Sequence, residues 1–168
     1  MINYLKSSIS ISSYNGCTIN CKYCILSSLG NRENVRKVED EKELVKKLLS
    51  LKLYSPEIPI SVNNQTDPLL NKEIFNSTIK ILKEMEKNEV PNPILIITKG
   101  YITEEQIKQI EEIDLNLIIL YTFSGLSEKL ENRNEKSQIE TLKKLSKLQN
   151  CELINYYRPV IEGINSDK

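Results

Sequence analysis

Three of the four cysteines in this 168-residue chain fall within the stretch GCTINCKYC, from Gly16 to Cys24. Cys17, Cys21 and Cys24 stand at C-x3-C-x2-C spacing. Thiolates gathered this closely bind zinc or iron–sulfur clusters. A closed structural zinc site takes four ligands, and the chain has no histidine to complete the set. Asp67 is one candidate fourth ligand, although a Cys3Asp structural site would be unusual. A [4Fe-4S] cluster held by three thiolates keeps one iron open to a small molecule, which is a reason to supply three ligands and not four. From the residues alone, zinc and a cluster both stay open.

Composition narrows the remaining chemistry. Four cysteines in a chain of this length do not make a disulfide framework. Without histidine the commonest general base is missing, so any reaction rests on cysteine, carboxylate, lysine, tyrosine or a cofactor. Lys+Arg and Asp+Glu are both 23, giving zero formal net charge. That balance weighs against a broad nucleic-acid footprint, and a local basic patch would survive it. No apolar run approaches the ~20 residues of a membrane span. The opening MINYLKSSISISS lacks a basic region followed by an apolar stretch, so no secretory signal is read there. The expectation is a soluble cytoplasmic protein with no membrane partner.

The elements that must position the cysteines alternate along the chain. SISIS (Ser8–Ser12) reads as a strand by alternation, and Leu44, Val45, Leu48 and Leu49 give helical spacing within Asp40–Leu53. IPISV (Ile58–Val62) is a second strand. Asn71 caps a helix whose inner face is Ile74, Thr78, Ile81 and Met85, flanked by Phe75, Ile79 and Leu82. PILIIT (Pro93–Thr98) is a third strand, apolar on consecutive residues as expected where both faces are buried. Thr103 opens a capping box closed by Gln106. LNLIILYT (Leu115–Thr122) is a fourth strand, Ile139, Leu142, Leu145 and Leu148 mark a fourth long helix, and ELINYY (Glu152–Tyr157) is a fifth strand. The charged run from Gly30 to Glu43 reads as a solvated connection into the first helix.

This repetition predicts an α/β fold with parallel strands, in one domain spanning 1–168. An open doubly wound sheet and most of a barrel both satisfy the pattern, and both put ligands at the C-terminal ends of the strands. The segments that follow the strands are YNGCTINCKYC, NNQTDP, TKG, YTFSG and RPVIEGIN. They hold the polar, glycine and cysteine residues, so the chemistry is expected on one rim. Cys151 precedes the fifth strand, on the opposite rim, and reads as a buried thiol.

With an aromatic before its third cysteine, and placed after the first strand of a βα repeat, this triad resembles the radical S-adenosylmethionine (SAM) enzymes. Thr66-Asp67-Pro68, Thr98-Lys99-Gly100 and RPVIEGIN (Arg158–Asn165) resemble segments of the spore photoproduct lyase-like branch, in matching order. The resemblance covers about residues 8 to 165. It implies a partial TIM-like (β/α) barrel and a [4Fe-4S] cluster on Cys17, Cys21 and Cys24. SAM would bind the open iron through its amino and carboxylate groups. One-electron reduction would then break its C5′–S bond, and the resulting 5′-deoxyadenosyl radical would take a hydrogen atom from a substrate. A reductant such as ferredoxin or flavodoxin would supply the electron.

Further implied site residues are Tyr23 near the adenine, Thr66 and Asp67 at the methionine, and Lys99 at the SAM carboxylate. Thr122 and Ser124 would face the ribose, and Arg158 would face SAM or substrate, or pair with Glu162. Glu131 and Arg133 fall in a stretch like one in the family, with no role derived. Two departures stand out. The Gly-Gly-Glu-like stretch of many members is absent, and the chain carries five of the usual six βα units. The expectation is a fragment, a truncated product or a minimal form completed by a partner, and without completion the fifth strand would be an exposed edge. No cysteine follows Cys151, so DNA lesion repair is not predicted and the substrate stays unknown. The alternatives are a non-catalytic metal-binding or redox-sensing module, holding zinc or a cluster, and an inactive fragment.

Overall fold

The computed structural model describes residues 1–4, 7–28 and 34–166. In chain order the elements are β1 (Ile2–Tyr4), β2 (Ile9–Ile11), β3 (Tyr14–Asn15), α1 (Ile25–Ser28), β4 (Arg36–Lys37), α2 (Glu41–Leu49) and β5 (Ile60–Val62). They continue as α3 (Lys72–Lys87), β6 (Ile94–Thr98), α4 (Glu104–Glu111), β7 (Leu117–Tyr121), α5 (Glu128–Glu131), α6 (Glu135–Leu145) and β8 (Cys151–Asn155).

Six strands form one sheet in the order β1-β2-β5-β6-β7-β8. The five expected strands are all present and run parallel, Ile9 opposite Ile60, Ile60 opposite Ile94, Ile94 opposite Leu117, and Leu117 opposite Cys151. The sheet is an open partial barrel with β1 and β8 at its edges. β1, which alternation did not reveal, lies antiparallel on β2 with Ile2 opposite Ile11. Every crossover is helical, as parallel pairing requires.

The helices begin where side chains can satisfy their free N–H groups. Asp40 accepts from the backbone N–H of Lys42 and Glu43, Asn71 accepts from Ile74, and Thr103 and Gln106 close the capping box. Each such cap stabilises by about 1 kcal/mol. α2 stops at Leu49, short of the expected Leu53. The α3 face from Ile74 to Met85 is buried as its spacing predicts. In α6 the inward row is Gln138, Thr141 and Leu145, whereas Ile139 is exposed and Leu148 lies beyond the helix end.

The central strands differ from expectation on one face. Ile94, Ile96 and Thr98 of β6 and Leu117, Ile119 and Tyr121 of β7 are buried, while their alternate residues are only half-buried. The buried row packs under the helices, where Ile96 and Ile119 meet Phe75, Leu82, Ile110 and Leu145. The other row faces the barrel interior, which an open sheet covers only in part. β8 is largely exposed, as an edge strand would be.

The charged connection carries more structure than a solvated loop. Arg36–Lys37 pairs antiparallel with Tyr14–Asn15, and Val38 donates its backbone N–H to the Ser13 carbonyl at 2.7 Å. This short ladder closes the base of the cysteine loop. Residues 30–33 of that connection lie outside the described residues.

Candidate metal and cofactor site

The parallel sheet brings the expected segments to one rim, and backbone hydrogen bonds tie them together. Asn63 N–H donates to the Ile11 carbonyl, Gly16 to Gln65, Thr122 to Thr98 and Tyr156 to Tyr121, at 2.7–3.0 Å. Gly16 has φ +94°, and a Cβ there would lie 2.5 Å from the Asn34 carbonyl oxygen, so only glycine starts the cysteine loop this way. Below the loop Asn63, at φ +53°, is fully buried. Its Oδ1 accepts from Ser13 N–H and Oγ at 2.9 and 3.1 Å, and its Nδ2 donates to Thr78 Oγ1 at 2.9 Å.

Cys21 is buried, and Cys17 and Cys24 are half-buried. Cys21 and Cys24 lie close enough to Cys17, and Cys24 close enough to Cys21, to oppose ionisation of those two thiols. Burial pushes the Cys17 thiol up to about 11, and Asp67 adds to the rise. Burial also pushes Cys21 up, while the Lys99 ammonium pulls against it. Among the described residues no three Cys, Asp or Glu side chains are already grouped around one point as a metal site. Cys21 Sγ donates to the Glu131 carbonyl at 3.5 Å. The donor set itself suits a cluster, with three soft sulfur ligands on one loop. Beside it, the Thr66 hydroxyl is buried with no hydrogen-bond partner among the described residues. Binding iron or zinc would displace the thiol protons.

The expected site residues fall into three groups. Lys99, Tyr23 and Ser124 converge on a single oxygen, Oε1 of Glu131. Lys99 Nζ lies 3.1 Å from it, Ser124 Oγ donates to it at 2.8 Å, and the Tyr23 hydroxyl donates to it as well. Lys99 Nζ also donates to the Tyr23 hydroxyl and sits 4.8 Å from the centre of its ring. The Lys99 and Glu131 side chains are 13% and 1% exposed. Burial and the Glu131 carboxylate both push the Tyr23 phenol far above its ordinary value.

Asp67 serves the scaffold. Its Oδ1 accepts from Leu69 N–H at 2.8 Å and Thr98 Oγ1 at 2.6 Å, and its Oδ2 accepts from Lys99 N–H at 2.9 Å. The carboxylate thus braces the loop after β5 against the loop after β6. Thr122 is buried beside this joint. Arg158 stands apart from the network. It is exposed, stacks 4.5 Å over the Tyr156 ring and donates to that hydroxyl at 3.2 Å, and no ion pair with Glu162 forms among the described residues. Cys151 begins β8 opposite Leu117, at the end of the sheet away from the rim.

Sequence reasoning assigned no role to Glu131, which structure puts at the centre of the network. Nothing in the spacing links it to Lys99, 32 residues earlier. Its one legible sign was its position in a segment following a strand. Arg133 stacks 4.7 Å over Tyr101 and helps to line a cleft of about 320 Å³ with Asn71, Phe75 and Gln106. No cysteine lines that cleft.

Comparison with known proteins bears on the family and the fold. The model of the radical SAM superfamily matches residues 11–165. A dual-specificity RNA methyltransferase RlmN from Campylobacter hominis is 25% identical over 79% of this chain and 37% of its own length. A protein named alanine racemase from Methanococcus maripaludis is 28% identical over 85% of this chain and 44% of its own. A spore photoproduct lyase mutant, solved with bound AdoMet and dinucleoside spore photoproduct, superposes with a TM-score of 0.68 at 13% identity. That match covers 91% of this chain and 46% of the lyase. The chain therefore spans less than half the length of these relatives, and at this identity the lyase speaks for the fold alone.

Proposed function

This chain belongs to the radical SAM superfamily, and from that premise we propose that it holds a [4Fe-4S] cluster through Cys17, Cys21 and Cys24 and cleaves SAM reductively. The observation that carries the reading is the C-x3-C-x2-C loop following the first parallel strand of an open βα barrel. When bound, cluster and SAM together supply one-electron cleavage of a carbon–sulfur bond.

The chain's own residues do the placing. Gly16 and the β3–β4 ladder set the entry and exit of the cysteine loop. Lys99 offers an ammonium to the SAM carboxylate as a point charge. The unpartnered Thr66 hydroxyl is a ready hydrogen-bond partner for the methionine amino group. Tyr23 contributes an aromatic face. Thr122 and Ser124 stand for the ribose, with Ser124 already donating to Glu131. Asp67 acts indirectly, by fixing the backbone of Lys99. Arg158, on the outer part of the rim, is assigned to substrate. A low-potential electron carrier such as ferredoxin or flavodoxin is the proposed reductant, and a partner completing the barrel would lie along the β8 edge. The two named relatives differ in reaction, so no substrate is carried over from them.

The test is anaerobic reconstitution with iron and sulfide, reduction in the presence of SAM, and assay for 5′-deoxyadenosine and methionine. Both products are expected in equal amounts. A cluster without products would make this chain a non-catalytic cluster protein. Zinc bound without sulfide would make it a metal-binding module.

A further inference from the structure

We propose that Glu131 is the positioning residue of this rim, holding the Lys99 ammonium where it meets the SAM carboxylate; this rests on the reading of Lys99 above. Three loops meet at its Oε1. Tyr23 comes from the cysteine loop, Lys99 from the loop after β6 and Ser124 from the loop after β7. The chain around Glu131 grips the cysteine loop at three successive residues, two through backbone carbonyls and one through a side-chain amide. Leu130 O accepts from Lys22 N–H at 2.9 Å, Glu131 O accepts from Cys21 Sγ at 3.5 Å, and Asn132 Nδ2 donates to Ile19 O at 2.9 Å. Asn132 adopts φ +52° to end α5 there.

The physical need is clear. A lysine stem has four rotatable carbons and gains nothing by pointing inward unless something holds it. The Lys99 ammonium donates to Tyr23 and to Glu131, and it also lies within hydrogen-bond reach of the Cys21 sulfur. The ammonium is thereby ordered before any ligand arrives. Glu131 also offsets part of its charge, which weakens its pull on an anion. In a pair this buried, ordering outweighs that loss, because an unpaired ammonium would leave for solvent.

A double-mutant cycle on the reconstituted full chain tests this, with SAM affinity read by equilibrium dialysis and iron and sulfide measured per chain. Lys99→Met and Glu131→Gln are each expected to weaken SAM binding about tenfold, the worth of one charge-assisted hydrogen bond. The double variant should bind no more weakly than Lys99→Met alone, with iron and sulfide unchanged in all three. Effects that multiply, or Glu131→Gln binding SAM as tightly as the parent while Lys99→Met does not, would overturn the role of Glu131. Unchanged affinity in Lys99→Met would sink the reading of Lys99 itself, and this inference with it. Should Glu131→Gln not fold, Glu131→Asp enters the same cycle. It keeps the charge but not the reach, and parent-like affinity there overturns the proposal.

Discussion

The Lys99 ammonium lies 3.1 Å from Oε1 of Glu131, and this one contact joins the loops after β6 and β7 beside the cysteine loop. Both side chains are largely withdrawn from water. Removing the lysine from such a pair strands the buried Glu131 carboxylate, which costs far more than the pair contributes when intact.

The cysteines are expected to be individually necessary. Cys17→Ala, Cys21→Ala and Cys24→Ala should each lose most of the iron taken up on anaerobic reconstitution. Cys151→Ala should keep it, because that thiol sits at the far end of the sheet. Iron and sulfide analysis decides this, and full loading in any triad variant would remove that residue from the ligand set.

Gly100→Ala probes the joint between two rim loops. The added Cβ would lie 2.5 Å from Leu69 Cβ, 2.8 Å from Leu69 O and 2.9 Å from Asp67 Oδ1. Backbone is among these atoms, so the loops must separate. A loss of about 2 kcal/mol is expected in urea unfolding. Lys99 immediately precedes Gly100 and should be displaced with it, so SAM affinity should fall too.

Asn63 supports the cysteine loop from below. Asn63→Ala removes three buried hydrogen bonds and puts alanine at φ +53°. It should destabilise by about 3 kcal/mol. Asn63→Gly tolerates that φ and should cost about 1 kcal/mol less. Equal losses in the two variants would show that the backbone conformation carries no cost.

Tyr14 gives a pH dependence. Burial and the 2.7 Å bond to Glu73 push its phenol up to about 12. The folded value lies above the unfolded one, so its contribution is fully present below pH 10 and lost as pH rises through about 12. Tyr14→Phe should flatten this part of the fall in the urea midpoint between pH 10 and 12. An identical slope in parent and variant would contradict it.

Much of the fold was legible because local patterning and tertiary structure agreed. The five parallel strands, the caps at Asn71 and Thr103, and the inner face of α3 follow from periodicity and from side chains that satisfy helix N-termini. β1 escaped because three residues carry too little pattern and its partner β2 supplies its context. The β3–β4 ladder escaped for the same reason, being two residues a side. The face of α6 was misjudged at Ile139 because Gln138 and Thr141 took the inward positions.

For the site, the sequence by itself determined which thiols could share a metal and which segments follow the strands, because ligand type and spacing are local properties. Only tertiary structure decided what those segments do to one another. It turned Asp67 into a brace, set Arg158 on Tyr156, and gathered Lys99, Tyr23 and Ser124 on Glu131. Hydrogen bonds between residues far apart in the chain form only after the strands have paired. Their partners are chosen by the geometry of the rim, which no single stretch of sequence encodes.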